Sequence, residues 1–257
     1  MRAEQERQVI EGIRLPNKRV KKLTEGLTDL VLPRENIRVD GLDNLRQAKD
    51  LKNQGKRLII TPNHSSHADT PVLGMELERN GLTDFVFIMG KKVIDNPITR
   101  VLSRAAPTIL VWPEVLEAKD EEIMQKKEMN DSAAITIVSA MRGGWDVISF
   151  LEGTRAEQGV GLQHPAEGSG TYLGRRNSVI LPVGLIGLDE VLPKKGRPHF
   201  GKQGGIRFGQ PYDSFELRAQ FKDLSNEEMK QAMAEHAMLE IAKCLPEEKR
   251  GVYRGKV

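Results

Sequence analysis

The run Asn63-His64-Ser65-Ser66-His67-Ala68-Asp69 holds the residue types that move a proton. It follows Leu58-Ile59-Ile60, an apolar run that reads as a buried strand, so His64 sits where a strand ends. A histidine titrates near neutrality and can act as a base. A carboxylate five positions on can turn back, bond one ring nitrogen and leave the other free to take a proton. The spacing suits a base with its orienter, a pair that activates a hydroxyl. It also admits a purely structural pair, a strand-end histidine tied to a loop carboxylate. A second stretch, Phe150-Leu151-Glu152-Gly153-Thr154-Arg155, follows the strand-like Asp146-Val147-Ile148-Ser149. Gly153 permits a tight turn, and Arg155 offers a planar fork suited to a phosphate. Glu152 either holds that guanidinium or contacts a substrate hydroxyl. The plain alternative is a strand-turn whose arginine pairs with the glutamate.

In this order and separation the two stretches resemble the NHxxxxD and FPEGTRS blocks of the glycerolipid acyltransferases, specifically the 1-acylglycerol-3-phosphate acyltransferase family. The second match covers F-x-EGTR, with Leu151 for the proline and Ala156 for the serine. Val179-Ile180-Leu181-Pro182-Val183 resembles the family's apolar fourth block. Its proline cannot donate to a central ladder, which implies an edge, a bulge or a strand end. The family's remaining block has a lysine after a strand, then a proline, then a strand ending in an acidic-arginine pair. Here Phe85 to Lys92 supplies the strand and lysines, Pro97 follows, and Thr108-Ile109-Leu110-Val111 reads as the next strand. Trp112-Pro113-Glu114 stands where the arginine is expected. Lys91 or Lys92 can replace it as a point charge for phosphate; the other reading makes both solvated strand-end charges.

The resemblance implies acyl transfer from a thioester, acyl-CoA or acyl-ACP, to the free hydroxyl of a lysophospholipid. The first expectation is 1-acylglycerol-3-phosphate, giving phosphatidic acid in phospholipid biosynthesis. In that role His64 is the general base, Asp69 fixes its imidazole, and Glu152, Gly153, Thr154, Arg155, Lys91 and Lys92 bind substrate. Backbone amides near Gly153 are candidates for the oxyanion. No metal and no bound cofactor is required. Glycerol-3-phosphate or another lysolipid is the alternative acceptor, and a non-catalytic membrane-binding module is the alternative class. A metallohydrolase would take His64, His67 and Asp69 as ligands. It needs further histidines from His164, His199 and His236, and it leaves Glu152 to Arg155 without a purpose. A G-x-S-x-G elbow is absent, which disfavours a serine hydrolase.

The elements that must position these residues alternate between strand and helix, which predicts an α/β fold with a central, mostly parallel sheet flanked by helices, as in the glycerolipid acyltransferases. Residues 36–39 read as a first strand, with Gly41 beginning its turn, and residues 43–53 as a helix. Pro71 starts a helix through Arg79, stopped by Asn80-Gly81. Residues 120–142 are helical in pattern, with Asp131 a cap for Ser132 to Met141 and Gly143-Gly144 a stop. Residues 156–177 read as a long glycine-rich loop that can border an active site. Ser225-Asn226-Glu227-Glu228 fits a capping box, opening a last helix with Met229, Met233, Leu239 and Ile241 toward the core.

Two parts are expected: a basic amphipathic helical segment over 1–35 and an acyltransferase domain over 36–257. In the first, Val20, Leu23, Leu27 and Leu30 fall at helical spacing with lysines on the other faces. Such a stripe either packs on the domain or lies on a bilayer. The chain has 257 residues and 39% hydrophobic content, enough for one α/β domain, and it lacks a run of the roughly 18 to 20 apolar residues that a spanning helix needs. The N-terminus has no signal-like apolar segment, so a cytoplasmic, peripherally membrane-associated protein is expected. Net charge is only +3, but basic residues cluster at 14–22, at Arg175-Arg176 and over 194–202. Such clusters attract anionic membranes or an acidic acyl carrier protein, or are solvated surface. With 5% aromatic residues and no nucleic-acid motif, nucleic acid is not an expected partner. The single Cys244 excludes an internal disulfide and is expected to be a packed thiol.

Overall fold

The computed structural model describes residues 12–95, 100, 103–112 and 120–257. Residues 1–11, Pro97 and the pair Pro113-Glu114 lie outside the described residues. In chain order the elements are α1 (Lys18–Val31), β1 (Ile37–Asp40), α2 (Leu42–Asn53), β2 (Arg57–Pro62), α3 (Asp69–Arg79), β3 (Phe85–Gly90), the short α4 (Lys92–Asp95), β4 (Thr108–Val111), α5 (Asp120–Arg142), β5 (Asp146–Ile148), β6 (Ser178–Ile186), the short α6 (Leu188–Val191), β7 (Gly204–Phe208), β8 (Tyr212–Asp213), α7 (Ser214–Gln220) and α8 (Asn226–Lys243).

The strands form one sheet in the order β1-β7-β6-β2-β5-β3-β4, with β8 added beside β6. Pairing from β6 through β2, β5 and β3 to β4 is parallel, whereas β7 and β8 run antiparallel to β6. The sheet is therefore mixed but mostly parallel, and its strands are buried on both faces. Successive side chains of β2 go to opposite sides. Leu58 and Ile60 pack with Leu45, Leu73 and Leu77 of α2 and α3. Ile59 packs with Ile137, Met233, Met238 and Ile241 of α5 and α8.

Three expectations need correction. The helix predicted from Pro71 starts two residues earlier, at Asp69, leaving Pro71 in the first turn where its missing N–H costs nothing. The helix expected over 120–142 is present as one continuous element from Asp120 to Arg142, so Asp131 lies inside it rather than capping a segment that begins at Ser132. Pro182 lies within β6, a central strand rather than an edge. The missing donor is tolerated because β6 changes partner there. β8 pairs Val179 and Ile180, β7 pairs from Val183 onward, and the Pro182 carbonyl accepts the N–H of Gly209 (2.8 Å) between them.

The last helix has its capping box, with Ser225 and Glu228 each satisfying the other's backbone N–H. Cys244 is buried at the end of that helix, and burial pushes its thiol up to about 12, which makes it an inert packed group. In α1 the outcome is unusual: Leu23, Leu27 and Leu30 are 62%, 49% and 64% exposed. The helix is held instead by its opposite face and N-terminal end. Lys21 pairs with Glu78 of α3, and Asn17 caps the first turn.

Candidate active site

β2 and β5 are parallel neighbours, with Ile59 beside Val147 and Ile60 beside Ile148. Both strands therefore end at the same edge of the sheet, and the turns that follow them meet. Carboxyl ends of parallel strands are where open α/β sheets place ligands. The first turn begins with Asn63, whose side-chain amide copies a peptide unit. Its nitrogen donates to the Leu185 carbonyl (3.0 Å), and its oxygen accepts the Leu185 N–H (2.6 Å). This extends the β2–β6 pairing by one residue and fixes the backbone just before His64.

Asp69 is fully buried at the start of α3. One of its oxygens, Oδ2, accepts the backbone N–H groups of Ser65 (2.7 Å) and Ser66 (2.8 Å) and lies 2.8 Å from His64 Nδ1. The five-residue spacing thus closes a ring in which one carboxyl oxygen holds both the loop backbone and the imidazole. His64 Nε2 has no hydrogen-bond partner among the described residues, and the side chain is 14% exposed. Phe150 stacks on the ring at 4.0 Å between centroids. Burial lowers the His64 pKa, Asp69 opposes that through its hydrogen bond and charge, and Arg155 and Lys194 add to the lowering. The resting imidazole is accordingly held neutral, the state that accepts a proton.

The second turn grips His64 from the other side. Glu152 accepts the backbone N–H of His64 through Oε1 (2.6 Å) and that of Gln163 through Oε2 (3.0 Å). Ala156 donates its N–H to the His64 carbonyl (2.8 Å). The expectation that Glu152 holds the Arg155 guanidinium is therefore corrected: its oxygens bind the backbone of two loops. Burial pushes Glu152 up to about 7 against those hydrogen bonds. Gly153 adopts φ +68°, and a Cβ there would come 2.7 Å from the Ala166 Cβ. The turn requires glycine on both counts. The Gly153 N–H donates to the Phe150 carbonyl (3.0 Å), so this particular amide, a candidate for the oxyanion, is already engaged in the turn. Thr154 is exposed.

Arg155 is half-buried, and its buried Nε has no hydrogen-bond partner. Its charge acts on both His64 and His67. Lys194, from the loop after α6, donates to the Arg155 carbonyl (2.6 Å), and its own charge also reaches His64. In the sequence Lys194 stands out only as one member of a basic cluster, and Asn63 and Phe150 only as members of the two matched motifs with no role of their own. The signals for these three are a basic loop, an amide at a strand end and an aromatic beside the turn, each common on its own.

Lys91 and Lys92 follow β3, two strands from β2 on the same edge. Lys91 lies over the Trp112 ring at 3.7 Å, and Lys92 is exposed. No contact of either with the His64 group is present among the described residues. Trp112, which stands where an arginine is expected, has both backbone groups bound by the Asn130 side chain of α5. His67 turns away from Asp69, with Nε2 at 3.2 Å from the Lys194 carbonyl. Among the described residues no group of three His, Cys, Asp or Glu side chains is arranged to hold a metal ion.

The family model described as Acyltransferase matches residues 36–186, more than half the chain and the whole span from β1 to β6. The chloroplastic glycerol-3-phosphate acyltransferase of Spinacia oleracea is 27% identical over 117 residues, 44% of this chain and 25% of that protein. The match thus spans a quarter of that relative's length. Among solved structures, the 1-acyl-sn-glycerophosphate (LPA) acyltransferase PlsC of Thermotoga maritima superposes with a TM-score of 0.57 over 88% of this chain and 77% of that one, at 18% identity. The two share a fold.

Proposed function

The chain belongs to the acyltransferase family, and from that premise we propose that it moves a fatty acyl group from a thioester to the free hydroxyl of 1-acylglycerol-3-phosphate, yielding phosphatidic acid. The observation that carries this reading is the buried Asp69 holding His64 by Nδ1 while Nε2 stays open beside an unpartnered arginine. His64 Nε2 takes the acceptor's hydroxyl proton as the oxygen attacks the thioester carbonyl carbon. The tetrahedral intermediate then collapses, the carbon–sulfur bond breaks, and the imidazolium returns the proton to the leaving thiolate. Asp69 keeps Nδ1 as the protonated nitrogen and favours the imidazolium while it lasts. Arg155, with Lys194 beside it, binds the phosphate of the acceptor. Acyl-CoA and acyl-ACP both supply the required thioester.

Thiol release from palmitoyl-CoA, measured with and without lysophosphatidic acid, tests the reaction. Acceptor-dependent release supports it. Parallel assays with glycerol-3-phosphate and with acyl-ACP assign acceptor and donor, and silence with every pair removes the proposal. Arg155→Ala is expected to raise the KM for lysophosphatidic acid by roughly 10- to 150-fold, the worth of one hydrogen bond to a charged group. Use of monoacylglycerol, which has no phosphate, stays unchanged in that variant. Equal kinetics on both acceptors would take Arg155 out of phosphate binding.

A lipid acceptor also requires contact with a bilayer. Among the described residues no helix is long and apolar enough to cross a membrane. The exposed Leu23, Leu27 and Leu30 of α1, with Lys18, Arg19 and Lys22 exposed on the same helix, form an amphipathic surface that suits an anionic membrane. Burying one leucine is worth about 1.5–3 kcal/mol. Leu27→Glu is therefore expected to lower co-sedimentation with phosphatidylglycerol vesicles by at least about tenfold, leaving turnover on a short-chain, water-soluble acceptor intact. Undiminished vesicle binding would show that the leucines do not enter lipid.

A further inference from the structure

The opposite end of the sheet carries a second unneutralised cluster of positive charge. β5 and β6 are parallel to β2, so the residues just before them lie at the edge remote from His64. Arg142 ends α5, four residues before β5, and Arg175 precedes β6 by three. β8 pairs with the first residues of β6, which brings α7 and its Arg218 to the same edge. Contact bears this out for Arg218. A Cβ on Gly174 would come 3.0 Å from the Arg218 Cβ, so the Arg218 stem lies directly over the residue before Arg175.

Two acids on the adjoining elements are committed elsewhere, and Glu216 of α7 is exposed. Asp213 caps α7 and pairs with Lys56, and Asp146 pairs with Lys52. Arg175 is half-buried, and its buried Nε has no hydrogen-bond partner. Among the described residues no ion pair is found for Arg142, Arg175 or Arg218. Burial lowers the Arg175 pKa first, and the positive charges of Arg218 and Arg142 lower it further. Like charges gathered round a partly buried guanidinium repel one another. The arrangement is relieved when a compact anion with several acceptor oxygens sits between the forks.

We propose that Arg142, Arg175 and Arg218 form a second anion site, remote from His64, that takes a phosphate-class dianion. Guanidinium groups gathered at one edge of the sheet suit the oxygens of a phosphate, whereas an extended acidic protein face would need charges spread over a wider surface. The site makes no use of the acyl-transfer chemistry, and it stands or falls independently of that reading.

Isothermal titration of full-length Arg155→Ala with inorganic phosphate tests it, because that background removes the arginine beside His64. Co-sedimentation with phosphatidylcholine vesicles, with and without phosphatidic acid, distinguishes a lipid headgroup from a free phosphate. Phosphate binding is expected to persist in Arg155→Ala and to weaken at least about tenfold when Arg175→Gln or Arg218→Gln is added. Weakening of vesicle binding alone by these substitutions assigns the site to a lipid headgroup, and weakening with soluble phosphate assigns it to the free ion. Arg218 is exposed, so its variant keeps the test valid if Arg175→Gln fails to fold. Affinity for both probes unchanged by Arg218→Gln, in protein with an unaltered circular dichroism spectrum, would overturn the proposal. So would the absence of binding to either probe in Arg155→Ala.

Discussion

His64→Ala is expected to keep its fold and lose acyl transfer, with kcat lower by roughly 10²- to 10⁴-fold, the worth of a positioned general base. The fold is spared because its backbone carries the structural duties. The N–H goes to Glu152 and the carbonyl to the Ala156 N–H, and neither depends on the imidazole. What disappears is the one nitrogen placed to take the proton. The same geometry predicts a pH profile. Burial holds the His64 pKa below the ordinary 6.5, so the acidic limb of the activity profile should lie below that value. Stability follows the same sign. As pH falls through the ordinary histidine range the unfolded chain binds a proton that folded His64 resists, so His64 contributes to falling stability on acidification. Steady-state kinetics of purified His64→Ala beside the parent, with circular dichroism as the fold control, check the first claim. Near-normal turnover would remove His64 from the mechanism.

The second large effect concerns Asp69, and there activity and stability fall together. Three groups converge on one oxygen of a fully buried side chain: two backbone amides and the imidazole. Asp69→Ala leaves all three without their acceptor. Each stranded buried donor costs about 1–3 kcal/mol, so a loss of roughly 3–5 kcal/mol in unfolding free energy is expected, near the upper range for one substitution. Asp69→Asn keeps the volume and is the sharper probe. Its amide still offers an oxygen to the Ser65 and Ser66 N–H groups, yet it no longer favours an imidazolium. In a serine protease triad the matching aspartate-to-asparagine change lowers kcat about 10⁴-fold, and a loss of that order is the expectation here. Denaturant unfolding and turnover should therefore separate in Asp69→Asn, with modest destabilisation but severe kinetic loss. Parallel, small losses in both would mean that Asp69 only braces the loop.

Much of this site was legible because local spacing and strand order specify it. His64 and Asp69 are five residues apart across one tight turn, and that turn can be closed from sequence alone. The strands at 58–60 and 146–148 were visible as apolar runs, and a parallel α/β sheet brings their ends to one edge. Side-chain partners over long separations were not visible. Glu152 could pair with an arginine three residues away or with a backbone 88 residues away, and local spacing favours the arginine. The choice depended on the tertiary approach of β5 to β2 and on the return of the 156–177 loop to present Gln163. Pro182 misled for a related reason. The rule that proline avoids central strands concerns donors, and β6 has a position without a ladder partner only because β7 and β8 share one of its sides. The exposure of Leu23, Leu27 and Leu30 was undecidable from periodicity, which marks an apolar face without saying what covers it.

The backbone of His64 is gripped from both sides by residues of the second turn, so the first block cannot be transplanted by itself. A designer who moved the segment Asn63 to Asp69 onto another strand end would copy the carboxylate–imidazole ring but lose the anchors at Glu152 and Ala156. The imidazole would then sample several orientations. The smallest portable unit is β2 and β5 with both of their outgoing turns, together with the end of β6 that holds Asn63. During synthesis the same dependence acts as a timer. The base reaches its working position only after β5 and then β6, as far as Leu185, have left the ribosome and docked, so a chain stalled earlier carries the motif without its geometry.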